Sequence, residues 1–475
     1  MSYGIYIGRA HTATGIPYLA GYGDEPSSHW LDIFPREDHA EGSTITVGMT
    51  PEADMPGRLT EIPQAPITAR CLRVSYSYYL GAPAPLTNGG LNEHGVAVRD
   101  IWSTSSAALI EMTPKDQTGP NYSDLARIVV ERARTAREGV ELIGELIARH
   151  GYSTYGGNSH MIADAKEAWV VIEFAGGLGL WVAERLGDTS IRASRPGYVG
   201  VIPDAPDDDF LFPPHFISTA REKGWYDPAT GPFDVNRIYG DGKSPWAGTT
   251  WIEEEMRRRA ERPEKISLAD VFWSISTERL TGDTAGYGQV VPLVGSDHPE
   301  LRMMWHAPVG PVTAPLLPVW LGQTEIPAPY RKHRYLTTGE SARFLDRRKE
   351  PKNPEVVSRV PQGIESGESA VYEFKRLMHL AFQKQDPILR EVDSHWRNIE
   401  ALVSNELPAI ERTARLLIEA GETELAAAAL TDFSAKWFDR ALQECKALSA
   451  AAHIRLAASG GLNMTSNPIS PDQLW

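Results

Sequence analysis

Residues 121–151 read NYSDLARIVVERARTAREGVELIGELIARHG, and this stretch decides the fold class. Leu125, Ile128 and Val129 recur at three- and four-residue spacing, and Val140, Ile143, Leu146 and Ile147 do so again. That spacing places apolar side chains on one face of each of two helices. Ser123 or Asp124 is the expected N-terminal cap, and Gly151 the expected stop. On either side of the pair the period is two. Upstream, Gly4–Gly8, "IPYLAGYGD" (16–24) and "ARCLRVSYSYYL" (69–80) read as strands, and "NGGLNEHGVAVRDIW" (88–102) as a glycine-rich turn feeding another. Downstream, "SHMIADA" (159–165) and "EAWVVIEFA" (167–175) read as a strand pair joined by a tight turn. "GGLGLWVAERL" (176–186), "DTSIRASRPGYVGVI" (188–202) and the run from Leu301 to Leu321 add further strands. From Glu368 to about Ala458 the chain is alanine-rich and helical, with Phe374, Leu377, Met378 and Ala381 on one face and Leu430, Phe433, Trp437 and Ala441 on another. Strands, two helices, strands, then helices predict an α+β fold with layered sheets and helices outside them. The expected division is a main domain over 1–365, a C-terminal helical region over 366–460 and a tail over 461–475.

The bulk properties narrow the function classes. The chain has 475 residues, of which 42% are hydrophobic and 9% aromatic, so it can bury a sizeable core. A formal net charge of -15 argues against a nucleic-acid partner or an anionic membrane, both of which attract a basic face. Cys71 and Cys445 form neither a disulfide framework nor a zinc quartet. No apolar run approaches the ~20 residues that span a bilayer, and the N-terminus lacks the pattern of a signal peptide. The expected location is the cytoplasm.

Three features carry chemistry. Ser2 becomes the first residue when Met1 is removed, a processing step that a small second residue permits. A free α-amine then sits beside its hydroxyl. That amine has a reference pKa of about 7.7–8.0 and can act as the base for its own hydroxyl. Serine is also common at position two without any such role. "NGGLNEHGVAV" leaves backbone groups bare, as an oxyanion or carboxylate site requires, although glycine also simply makes turns. His94, His160 and His306 sit near strand-like segments but lack zinc-site spacing. The acidic loop "PDAPDDDF" lacks the ligand spacing of a calcium loop and reads as a solvated turn. No nucleophile elbow and no phosphate-binding loop is present. No cofactor is expected.

Several segments together resemble the C69 peptidases, dipeptidases of the N-terminal-nucleophile hydrolase superfamily, to which the secernins are related. "GLNEHGVAV" is similar to the family's Asn-Glu-His-Gly signature before a strand. "ERARTAREGVELIGELIARHGY" is similar to its helix pair, and "NSHMIADAKEAWVVIE" to the strand-turn-strand that follows. "DDDFLFPPHFISTAREKGW" and "LTDFSAKWFDRALQ" also match family habits. The resemblance implies an αββα sandwich of two antiparallel sheets covered by helices. Registering the family's first-strand glycine on Gly8 places its nucleophile, a cysteine in the family, on Ser2. Asp24 matches the aspartate expected to touch the α-amine. Gly21 stands where the family carries arginine. Asp100, beside Arg99, stands where it tends to carry asparagine. Ser194-Arg195 stands where it often has a Ser-Asn pair that serves the oxyanion. Gly21, Asp100 and Arg195 are expected to face one pocket, with the cationic charge moved rather than lost.

The function implied is amide-bond hydrolysis through an acyl-enzyme on Ser2, with Asp24 tuning the amine. Asn92, Arg99, Asp100, Ser194, Arg195 and His160 are the candidate oxyanion or substrate-binding residues. The partner is a small peptide or amide substrate, with a homo-oligomer as a further possibility. The alternative is a relative that keeps the fold for binding or assembly after losing the usual Cys, Arg and Asn. A metal-assisted hydrolase using the acidic loop is a third reading.

Overall fold

The computed structural model describes residues 2–23, 29–51, 53–76, 82, 85–332 and 369–459. Asp24, the polar stretch around 333–355 and the tail from 461 lie outside the described residues. Among the described residues, fourteen strands build two antiparallel sheets. They are β1 (Tyr3–Ile7), β2 (Tyr18–Gly23), β3 (His29–Phe34), β4 (Cys71–Tyr76), β5 (Leu86–Asn92), β6 (Ala97–Trp102), β7 (Asn158–Ala163), β8 (Ala168–Glu173), β9 (Trp181–Leu186), β10 (Ile191–Ser194), β11 (Phe210–Leu211), β12 (Tyr287–Pro292), β13 (Met303–Ala307) and β14 (Leu317–Trp320). The six-stranded sheet runs β10-β1-β2-β12-β13-β14, and the eight-stranded sheet runs β11-β9-β8-β7-β6-β5-β4-β3. The main helices are α1 (Tyr122–Arg132), α2 (Ala136–His150), α3 (Phe216–Glu222), α4 (Ala247–Ala260), α5 (Leu268–Ser276), α6 (Ala370–Phe382), α7 (Arg390–Glu419) and α8 (Thr423–Ala458).

The helix pair read from the sequence is α1 and α2. Its first cap is Asn121 rather than Ser123 or Asp124. The Asn121 side chain accepts from the Ser123 and Asp124 amides, and the Asp124 carboxylate returns a bond to the Asn121 amide, a reciprocal capping box. Thr135 caps α2, and Gly151 ends it with φ +87°, a backbone region that glycine enters without strain.

Alternation along the strands makes two layers of core. On the eight-stranded sheet, Val98, Ile162, Trp169 and Val171 point outward and pack with Leu125, Val129, Val140 and Ile143 of the helix pair. Ile101, Met161, Val170 and Ile172 point inward, toward the other sheet. α4 and α5 cover the outer face of the six-stranded sheet, and α8 packs on β14. The result is the αββα layering, with a helical C-terminal region.

One segment differs from its sequence reading. "NGG" is not a turn but the interior of strand β5, and the turn lies at Glu93–Gly95. Its glycines admit neighbours on both faces. A Cβ on Gly90 would press against the Val130 side chain of α1, and one on Gly89 would fall 2.9 Å from the Tyr287 hydroxyl. The strand partners Val74↔Gly89 and Ser75↔Thr87 skip Asn88, so a β-bulge sits there and re-aims that residue.

Candidate functional site

Ser2 precedes β1 and is 2% exposed. The pairs Tyr3↔Tyr22 and Gly4↔Gly21 fix β1 against β2, and Gly4↔Ser194 fixes it against β10. Continued by one or two residues, this register sets Ser2 between Gly23 and the start of the Arg195-Pro196-Gly197 segment. Alternation puts Ser2 on the face of Gly4, which is the face between the sheets.

That face is bare by design of the sequence. A Cβ on Gly4 would lie 2.5 Å from Ile101 Cδ1, 3.0 Å from Met161 Sδ and 3.4 Å from Arg99 Cγ. One on Gly21 would overlap the Tyr3 carbonyl oxygen and lie 2.9 Å from Arg99 Nε. The two glycines open a slot between the sheets, and Arg99 fills it.

Arg99 comes from β6 of the opposite sheet and is 0% exposed. Its Nε donates to the Tyr3 carbonyl (3.4 Å) and its Nη2 to the Tyr22 carbonyl (2.6 Å). Its Nη1 donates to the Asn88 carbonyl (2.9 Å), and also to the Asn88 Oδ1 and the Tyr287 hydroxyl. The guanidinium carbon lies 4.8 Å from the centre of the Tyr287 ring. All of these partners are neutral oxygens or a ring. The bulge therefore has a use: it delivers both oxygens of Asn88 to one guanidinium nitrogen. Gln289 continues the network, accepting from Tyr287 and donating to the Val98 carbonyl at 3.1 Å. Beyond it, His29 stacks between Tyr76 and Tyr287, with both ring centroids at 5.2 Å, and His306 lies 6.2 Å from Tyr287. Burial, with His29 beside it, holds the His306 imidazole down at about 3, so it stays neutral.

Arg195 takes another direction. It is half-buried, and its Nη1 donates to the Tyr22 hydroxyl and to the Leu280 carbonyl (3.0 Å). Its guanidinium carbon lies 4.7 Å from the Trp246 ring centre and 5.8 Å from that of Tyr22. Tyr22 itself donates to the Leu280 carbonyl at 2.6 Å. Ser194 is 1% exposed and pairs with Gly4, on the inter-sheet face. The segment after Arg195 closes on the other sheet: the Gly197 amide donates to the Trp102 carbonyl, and the Ser103 hydroxyl donates to the Gly197 carbonyl, both at 3.1 Å. Both sheets thus meet at the end where Ser2 sits.

Three of the sequence candidates lie elsewhere. The expectation that Gly21, Asp100 and Arg195 line one pocket fails for Asp100. Strand alternation puts Asp100 on the face opposite Arg99, where it accepts from Asn158 Nδ2 at 2.6 Å. His160, its strand partner, shares that outer face. Its Nδ1 meets Glu173 Oε1 at 2.8 Å and its Nε2 meets the Tyr122 carbonyl at 2.9 Å. Burial opposes the charge on His160, but Glu173 and the carbonyl outweigh it and lift the imidazole to about 9. Both ring nitrogens face acceptors, so the ring is an imidazolium tying β7 to the start of α1. Asn92 is occupied by the chain itself. Its Nδ2 donates to the carbonyls of Val130 (3.0 Å) and Ala133 (2.7 Å), and its Oδ1 accepts from the His94 and Val96 amides at 3.0 Å. It fastens the end of α1 to the turn.

In the acidic loop, Asp207 accepts from the Asp209 and Phe210 amides, and Asp209 pairs with Arg185. Among the described residues no cluster of three or more His, Cys, Asp or Glu is arranged to hold a metal ion, and no helix is long and apolar enough to cross a membrane. Asn88, Tyr287, Gln289 and His29 escaped the sequence reading. They come from segments up to 260 residues apart, from His29 to Gln289, and no local motif joins them.

Comparison with known proteins gives the site its context. Residues 69–245 match the model of Peptidase family C69. A probable dipeptidase of Salmonella dublin is 28% identical over 154 residues, covering 32% of this chain and 34% of that protein. A probable dipeptidase B of Lactococcus lactis subsp. lactis (strain IL1403) is 33% identical over 102 residues, 21% of each. The chain thus spans 34% and 21% of the length of these curated relatives. Two variant structures of a conjugated bile acid hydrolase from Clostridium perfringens are similar at 10% and 9% identity, with TM-scores of 0.28 and 0.26; each covers 64% of this chain, and 88% and 89% of the hydrolase. Over residues 69–245, then, the chain is similar to Peptidase family C69.

Proposed function

We propose that the protein is an amide-bond hydrolase of the dipeptidase type, with Ser2 as nucleophile once Met1 has been removed. The observation that carries the reading is the place of Ser2. It immediately precedes the strand that β2 and β10 flank and that Arg99 braces from the opposite sheet, and β6, which supplies Arg99, lies within the C69 match.

In this mechanism the Ser2 hydroxyl oxygen bonds to the substrate carbonyl carbon. Its proton passes to the α-amine, and the carbonyl oxygen becomes an oxyanion held by N–H donors. The ammonium returns the proton to the leaving amine as the C–N bond breaks, leaving an ester on Ser2. Water attacks that ester with the α-amine again as base, and the free acid departs. Asp24 is the candidate that orients the amine. Ser194 on the inter-sheet face and Arg195 at its edge are candidates to meet the substrate. The substrate is a dipeptide or a small N-acyl amide.

Intact mass first establishes whether Met1 is present. A mature chain lacking it is then assayed against dipeptides and N-acyl amides beside Ser2→Ala and Ser2→Cys. Ser2→Ala loses at least ~10³-fold in kcat, and Ser2→Cys keeps measurable turnover. Retention of Met1, or equal turnover by Ser2→Ala, rejects the mechanism and leaves a binding relative of the family.

A further inference from the structure

Arg99 is a buried cation among neutral partners. Such a charge is costly to hide from water, and neutral oxygens only partly offset that cost. It also occupies the slot left by Gly21. The charge therefore arrives from the opposite sheet, through carbonyls that belong to the first residue of β1 and to its partner on β2.

We propose that Arg99 is a positioning residue for Ser2, its guanidinium fixing the β1–β2 start from the opposite sheet and keeping the α-amine of Ser2 unprotonated. The inference rests on the reading of Ser2 as an N-terminal nucleophile. Nε lies 3.4 Å from the Tyr3 carbonyl, and the Ser2 amine is at most two strand rises further, within about 10 Å of the cation. A like charge at that range disfavours the ammonium. Among the described residues the other groups facing this end are Tyr3 and Tyr22 on the first strand pair, Arg195 after β10, Tyr287 on β12, Glu253 on α4, and neutral His306 with His29 further along the slot; Asp24, assigned to the amine in the proposed mechanism, acts in the opposite sense and is the same in every variant compared. Asp100 is on the far face of β6. A bridge to two carbonyls needs the guanidinium fork, whereas the charge effect needs only a cation. The two roles therefore separate by substitution.

The test follows kcat/KM for the best dipeptide of the panel from pH 5 to 9 in wild type, Arg99→Gln and Arg99→Lys, each shown by mass to lack Met1. Activity rises with pH as the free amine forms. Arg99→Gln moves the midpoint of that rise upward by about one pH unit. Arg99→Lys keeps the midpoint and lowers kcat about tenfold, with KM within about twofold. Equal midpoints in wild type and folded Arg99→Gln overturn the proposal. If Arg99→Gln does not fold, Arg99→Lys decides alone: an upward midpoint or an unchanged kcat overturns it. Ser2→Ala in the same assay separates the two failures. If Ser2→Ala is as active as wild type, the nucleophile reading has failed; if it is inactive while the midpoints coincide, only the role of Arg99 has.

Discussion

A side chain on Gly21 does not fit beside Arg99 as both now stand: a Cβ on Gly21 would lie 2.9 Å from Arg99 Nε and would overlap the Tyr3 carbonyl. The backbone conformation of Gly21 is not left-handed, so the constraint is space and not φ. Gly21→Ala must push Tyr3 or Arg99 aside, and one of the two clashing atoms is backbone. Overpacking of this kind costs about 1–3 kcal/mol. Thermal unfolding of Gly21→Ala against Gly187→Ala, whose added Cβ meets nothing within 4 Å, measures it. Equal unfolding temperatures would mean that the slot has room.

Asn92 and Arg99 both came from one glycine-rich stretch, and the structure gives them different work. Asn92 donates to two helix-end carbonyls and accepts from two turn amides. Asn92→Asp keeps the acceptor and turns the two donors into an oxygen facing carbonyls. The expected loss is about 2–4 kcal/mol of stability, read by urea unfolding. Whatever protein remains folded keeps the wild-type kcat, because nothing in the reaction needs this amide. A fall in kcat without a fall in stability would return Asn92 to the oxyanion candidates.

How much of this was legible in the sequence turns on period and distance. The 3.6-residue period of 121–151 and the two-residue period around it gave the layers, because both signals are local. The cap shifted to Asn121 because a box closes on the residue three before an acid, and Asp124 is that acid. The glycines of "NGG" read locally as a turn because turns are their usual use. What they serve here is a close approach by Gln289, Tyr287 and Val130 across both faces, which no window around residue 89 contains. Asp100 and Arg99 are neighbours, so one of them had to face away from Ser2. The alternation was visible, but which parity faced inward depended on sheet packing. The bond that ties Asn88 to the Tyr287–Gln289 pair spans 199 residues, beyond any local signal.

The His160–Glu173 pair gives a pH dependence of stability. His160 is lifted to about 9 in the folded protein, against about 6.5 unfolded. A raised histidine stabilises fully below the unfolded value, and the contribution is lost as pH rises through the folded one. Stability should therefore fall between about pH 6.5 and 9 as this group loses its proton. In His160→Gln that slope is flattened, and stability at pH 7 drops because Glu173 is left buried without its cation. Urea unfolding at several pH values checks both. A wild-type slope that survives in His160→Gln would place its source elsewhere.

Both cysteines are buried and free. Burial, with Glu131 and Glu93 nearby, pushes the Cys71 thiol up to about 12, and burial raises Cys445 as well. The thiolate is the reactive form, so neither should react with a thiol reagent at pH 8 in native protein. Two equivalents should react after unfolding in urea. Fast native labelling would show that one of the two sites opens.

Arg195 differs from Arg99 in the one respect that matters for a ligand, since it keeps part of its surface exposed. Its Nη1 is held by Tyr22 and Leu280 and its plane rests near Trp246, which fixes the guanidinium without enclosing it. An oriented guanidinium of this kind suits a carboxylate. If it takes the free carboxylate of a dipeptide, Arg195→Ala raises KM for that dipeptide about tenfold or more and leaves kcat within a few-fold, because the contact is made equally in ground and transition states. The C-terminally amidated form of the same dipeptide lacks the carboxylate and shows no such change. Arg195→Lys recovers only part of the loss, since an ammonium cannot reproduce the paired geometry. A kcat loss shared by both substrates would move Arg195 from binding the substrate to stabilising the oxyanion.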